Sequence, residues 1–138
     1  MIELLSLSAA QRQQLAAEAR AAFPRECCGL IEGVREANGV VALMLHSTAN
    51  LSEEPDGFEI DPAAHLRLSR ETRAAGREIV GCYHSHPHGR PLPSVRDRAA
   101  ANAEGFIWLI AALADETAAP AFAAFAGGEF RPLALGDA

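Results

Sequence analysis

The stretch from Glu78 to Asp97, EIVGCYHSHPHGRPLPSVRD, constrains the fold more than any other part of this 138-residue chain. Ile79, Val80 and Tyr83 give residues 78–84 the β-branched and aromatic content of a strand. Residues 86–93 hold three prolines and one glycine, which no regular element tolerates, so the chain must turn there. Ser94 then opens a helix expected to run to about Ala103. A buried strand, a stiff loop and a helix therefore follow one another with little freedom in how they are joined.

Side chains two apart on an extended strand point to the same side, with Cα atoms about 6.6–6.8 Å apart. His84 and His86 stand at that spacing. Two imidazoles so placed can converge on one metal ion, and Asp97, one turn into the next helix, can bring a carboxylate to the same point. Three protein ligands would leave a fourth position for water, the pattern of a catalytic rather than a structural site. A plainer reading stays open for each part. Ser94-x-x-Asp97 is also a good helix start with an acid in its first turn, and His-x-His occurs on strands by chance. The conjunction favours the metal, and Glu26, just ahead of a strand, is a further acidic candidate.

The rest of the chain supplies alternating elements. Ser8 caps a helix with Gln11 as capping-box partner, and Leu15, Ala19, Ala22 and Phe23 follow at helical spacing until Pro24. Residues 28–32 and 40–47 read as strands joined by a turn at Asn38-Gly39. Residues 48–58 form a polar loop. Asp61-Pro62 begins a helix that Gly76 stops. Residues 106–114, 121–126 and 130–135 look like closing strands, the last two turned by Gly127-Gly128. Such a mixture predicts one α/β or α+β layered domain spanning residues 1–138.

With these residues in view, the chain resembles the JAMM (MPN-plus) zinc metalloprotease family, in its compact bacterial form. The family signature is an upstream Glu, then His-x-His-Pro, six residues and Ser-x-x-Asp. Glu26, His84, His86, Pro87, Ser94 and Asp97 fill every place. Pro24 to Leu30 is similar to the family's Pro-x-Glu-x-Cys-Gly-Leu opening, and Asn50 and the segment from Phe58 to Pro62 also look familial. The resemblance implies a cytidine-deaminase-like sandwich, a curved mixed β-sheet flanked by helices, with Zn2+ held by His84, His86 and Asp97. It implies Glu26 as the general base that takes a proton from the zinc-bound water, and Ser94 as hydrogen-bond donor to the oxyanion. It further implies hydrolysis of a peptide or isopeptide bond. Relatives that strip ubiquitin from lysine carry insertions for which this chain has little room; compact bacterial relatives trim residues beyond the Gly-Gly end of small ubiquitin-like sulfur-carrier proteins. Such a carrier is the expected substrate, its tail lying extended with residues 48–58 as groove wall. A non-catalytic MPN-type interaction scaffold is the alternative, and it normally lacks the ligand set present here.

Composition removes other classes. The net charge of −6 and the lack of any lysine among twelve basic residues argue against a nucleic-acid partner and suggest a GC-rich bacterial genome. The longest apolar run, residues 106–114, is too short to span a bilayer, and no charged n-region precedes Arg12, so a cytoplasmic protein is expected. Three cysteines, two of them adjacent, make a poor disulfide framework. Cys82 is expected to pack, since it lies too far back on the strand to reach an ion beyond His84. Cys27 and Cys28 have no histidine at a recognisable spacing. His46 and His65 read as surface or structural residues, His88 as a possible substrate contact, and Trp108 as core. A zinc nucleobase deaminase would need His-x-Glu and Pro-Cys-x-x-Cys, neither of which occurs.

Overall fold

A computed structural model describes residues 1–100 and 103–138. In chain order the elements are β1 (Leu4–Leu7), α1 (Ala9–Ala22), β2 (Cys28–Arg35), β3 (Gly39–Thr48), α2 (Pro62–Ala74), β4 (Glu78–Pro87), α3 (Val95–Ala100), β5 (Ile107–Leu113), β6 (Ala121–Ala126) and β7 (Arg131–Asp137). The helix starts follow from their caps. Ser8 Oγ accepts from Gln11 N at 3.1 Å while Gln11 Oε1 accepts from Ser8 N at 2.9 Å, a closed capping box. Asp61 accepts from Ala63 N at 2.9 Å ahead of Pro62. The expected run of α3 to about Ala103 takes in residues 101 and 102, which lie outside the described residues.

The strands form one mixed sheet in the order β1-β3-β2-β4-β5-β6-β7. β4 lies between β2, to which it is antiparallel, and β5, to which it is parallel. Both faces of the sheet are buried. On one face, Ile31, Tyr83 and Leu109 pack with Leu5 and Leu7 of β1 and Leu15 of α1. On the other, Leu30, Cys82, Trp108, Ile110 and Phe125 pack with Leu68 of α2. This explains why β5 reads as an unbroken apolar run, buried at every residue, rather than an alternating one. Tyr83 crosses so closely over β2 that a Cβ on Gly29 would sit 2.3 Å from its ring, so only glycine fits there. The Tyr83 hydroxyl donates to Glu18 of α1 at 2.7 Å, which ties that helix to β4.

Helices on both faces of a mixed sheet match the expectation from sequence, and the sheet goes on to close. β1, which the sequence reading did not anticipate, runs parallel to β3 and to β7 at once and closes the sheet into a barrel. The reason it escaped is physical. Leu-Leu-Ser-Leu is too short to show a period, and its partners, Gly39 and Ala134 opposite Leu4, come from remote parts of the chain. Among the described residues no helix is long and apolar enough to cross a membrane.

Candidate metal centre

β4 carries the site at its C-terminal end. Its alternation sends Cys82, His84 and His86 to the α2 face and Tyr83 and Ser85 to the α1 face. β5 supports that end throughout, with Ile110 opposite His84 and Ala112 opposite His86. β2 does not, because its ladder begins at Cys28 opposite His84. Glu26 therefore comes off the start of β2 beside the histidines. Past Pro87 the loop folds back on itself, and α3 begins with a reciprocal pair: Ser94 Oγ accepts from Asp97 N at 3.0 Å, and Asp97 Oδ2 accepts from Ser94 N at 2.9 Å. The capping reading of these two residues is thus realised, and it leaves the Asp97 carboxylate beside the two histidines.

His84 Nε2 lies 2.9 Å from His86 Nε2, and each lies 3.1 Å from Asp97 Oδ2. Donor atoms held at 2.0–2.1 Å in a tetrahedron stand about 3.3 Å apart, so this triangle needs only a few tenths of an ångström to accept an ion. Its chemistry fits as well. His86 Nδ1 donates to the Arg90 carbonyl at 2.8 Å, which fixes the tautomer and leaves the Nε2 lone pair pointing at the triangle. His84 has no such partner: its Nδ1 is buried and unpaired among the described residues. Packing orients that ring instead, with Phe58 stacked on it at 4.2 Å and 16° and Trp108 edge-on at 5.8 Å. Glu26 closes the group from another side, a carboxylate oxygen lying within 4.8 Å of a ring nitrogen of each histidine.

Burial and charge divide these four residues. Burial holds the His84 imidazole below its usual pKa, so it is neutral. Burial acts the same way on His86, but hydrogen bonds to Asp97 and the Arg90 carbonyl outweigh it and raise that pKa. Burial favours a neutral Asp97, yet hydrogen bonds from both histidines overcome it and hold the carboxylate ionised far into acid. Glu26, only 6 % exposed, goes the other way. Burial, with Asp97 adding to it, pushes its carboxyl up to about 7 against a smaller opposing pull from His86. A permanent anion suits a ligand; a carboxyl poised near neutrality suits proton transfer.

The family of prokaryotic homologs of the JAB domain matches residues 8–125, spanning every residue of this cluster. The chain belongs to that family. The JAMM resemblance seen in the sequence is therefore borne out. Similar proteins include the desampylase of Haloferax volcanii, 34% identical over 95% of this chain and 94% of that one. A second is described as a "probable TtuB-protein conjugate cleaving protease" of Thermus thermophilus, 36% identical over 54% of this chain and 47% of that one. Among solved structures, a protein of Desulfitobacterium hafniense is 29% identical with a TM-score of 0.80, covering 100% of this chain and 94% of that one.

In this JAB domain the cluster opens into a cleft of about 660 Å3. Glu26, His86 and Ser94 line it, and Pro55 and Asp56 bring the loop expected as groove wall to its edge. His88 lines it too, standing edge-on to Phe23 at 4.7 Å. Cys82 is core as expected, and burial raises its thiol pKa. Burial pushes the Cys27 thiol up to about 12, too high for a nucleophile at neutral pH. Trp108 is core but also walls His84. His46 is structural, bonded at 2.8 Å to a buried Glu32 that Arg77 also pairs at 2.9 Å. Sequence reasoning missed the Phe58 stack and the Arg90 carbonyl. Phe58 lay in a segment already marked as familial; a backbone carbonyl leaves no mark in the sequence.

Proposed function

We propose that this JAB domain is a zinc peptidase acting at the C-terminal end of a small ubiquitin-like protein, trimming residues beyond its Gly-Gly. The observation that carries the hydrolase reading is the meeting of a near-tetrahedral His84–His86–Asp97 face with a buried Glu26 poised near neutrality. A zinc ion held there would supply the acidity that lets water act as a nucleophile at neutral pH. His84 and His86 offer it neutral Nε2 atoms and Asp97 an ionised carboxylate. Glu26 takes the proton of the attacking water on its carboxylate and gives it to the departing nitrogen. The Ser94 hydroxyl has its oxygen occupied by Asp97 N and no acceptor for its own proton among the described residues, so it donates to the substrate carbonyl oxygen as charge builds there.

The substrate class rests on the relatives, one a desampylase and one described by the conjugates it cleaves. The latter description favours a second reading, in which the bond cut is the isopeptide link of a conjugate. We place the protein in the cytoplasm, where such carriers work. One experiment separates these readings and the scaffold alternative: zinc-loaded wild type and Glu26→Gln are incubated with a ubiquitin-like carrier extended beyond Gly-Gly and, separately, with isopeptide-linked diubiquitin, and products are weighed by mass spectrometry. Trimming predicts loss of the extension by wild type only. Intact carriers with efficient cleavage of diubiquitin overturn it, and no cleavage of either substrate supports a scaffold.

A further inference from the structure

Glu26 precedes the β2 ladder, which starts at Cys28; the last backbone bond to β4 runs from Ser85 N to the Cys27 carbonyl at 3.1 Å, one residue short of Glu26. The peptide unit joining Glu26 to Cys27 is nevertheless gripped at both ends. Its carbonyl accepts from Asn50 Nδ2 at 3.0 Å, and its N–H donates to Ser85 Oγ at 2.8 Å. The Asn50 amide has no capacity left over. Nδ2 also donates to the Gly57 carbonyl at 3.0 Å, while Oδ1 accepts from Ser52 N at 2.9 Å and Glu59 N at 3.0 Å. One donor and both acceptor sites are thus spent within one short segment, and the other donor on the Glu26 carbonyl. That segment carries Phe58, the ring stacked on His84. Ser85 lies between the two histidines on β4.

We propose that Asn50 and Ser85 are positioning residues that clamp the Glu26–Cys27 peptide and so aim the Glu26 carboxylate at the cleft. This rests on the reading of Glu26 as general base. The clamp fixes the plane of the peptide and with it the direction of the Glu26 Cα–Cβ bond, at the one place where the ladder cannot. Asn50 couples that aim to the loop holding Phe58 against His84, so base and imidazole are referenced to the same anchor. A side chain freed by even an ångström loses the geometry on which proton transfer depends.

The test is a double-mutant cycle on the zinc-loaded enzyme, read with an extended ubiquitin-like carrier, together with hydrogen exchange on the same proteins. Asn50→Ala should lower kcat about tenfold or more with KM within about twofold. In a Glu26→Gln background, followed over long incubations, the same change should cost less than about twofold, because no base remains to be aimed. The Cys27 amide and those of residues 51–59 should exchange faster while the β4–β5 ladder is unchanged. Asn50→Asp keeps the contacts to Ser52 N and Glu59 N, loses both donors and should behave alike; it replaces the alanine variant if that one fails to fold. Ser85→Ala should reproduce the kinetic signature. Equal losses in both backgrounds, or an unchanged Cys27 amide, overturn the clamp. Failure of the underlying reading looks different: Glu26→Gln itself would then keep wild-type turnover.

Discussion

Glu26 is held by its surroundings in a state that suits proton transfer and does not suit stability. Its folded pKa, pushed up by burial to about 7, lies above the ordinary 4.5, so the folded chain binds that proton more tightly than the unfolded one. The stabilisation this gives is complete below about pH 4.5 and is lost as pH rises through 7. In protein stripped of metal, Glu26→Gln should therefore gain stability over wild type as pH rises between those values, by about 3 kcal/mol at pH 8. Urea unfolding at pH 5 and pH 8 checks it; an unchanged difference would mean that Glu26 is solvated. The same substitution should lower turnover by about 10²–10⁴. For the metal, His86→Ala should abolish stoichiometric zinc, measured by elemental analysis of dialysed protein. Because His86 must be neutral to bind and its pKa is raised, zinc affinity in wild type should begin to fall at a higher pH than an ordinary histidine would allow.

On the proposed assignment the start of α3 does two jobs with two residues, and substitutions can separate them. Ser94→Ala removes the acceptor for Asp97 N and should cost about 1 kcal/mol of stability. It also removes the proposed oxyanion donor, so turnover should fall about 10²–10³ with zinc retained. Asp97→Asn keeps an oxygen for Ser94 N and hence the helix start, yet lacks the charge a cation needs. Zinc affinity should drop at least about tenfold while far-ultraviolet circular dichroism stays unchanged. Loss of helix without loss of zinc would invert the assignment. At the same scale, the loop leading to α3 is stiff because its prolines and the His86–Arg90 contact leave it few alternatives.

Over the whole molecule, the site depends on a sheet that closes. β1 contributes Leu5, wholly buried, and no other strand bridges β3 to β7 among the described residues. Leu5→Ala should cost about 2–5 kcal/mol, far more than a typical terminal substitution, read as a shifted urea midpoint. The metal should act in the opposite direction by joining β4 to α3. At a free zinc concentration a hundredfold above Kd, stability should rise by about 2.7 kcal/mol, visible as a higher Tm that His86→Ala does not show. The sequence by itself determined the three helices through their caps, six of the seven strands, and the residues that gather at the site, because capping, alternation and His-x-His spacing are local facts. Tertiary structure decided the rest. Closure through β1, the Phe58 stack that orients His84 and the clamp on Glu26 each join residues far apart in the chain, and the energies that hold them come from contacts no local pattern encodes.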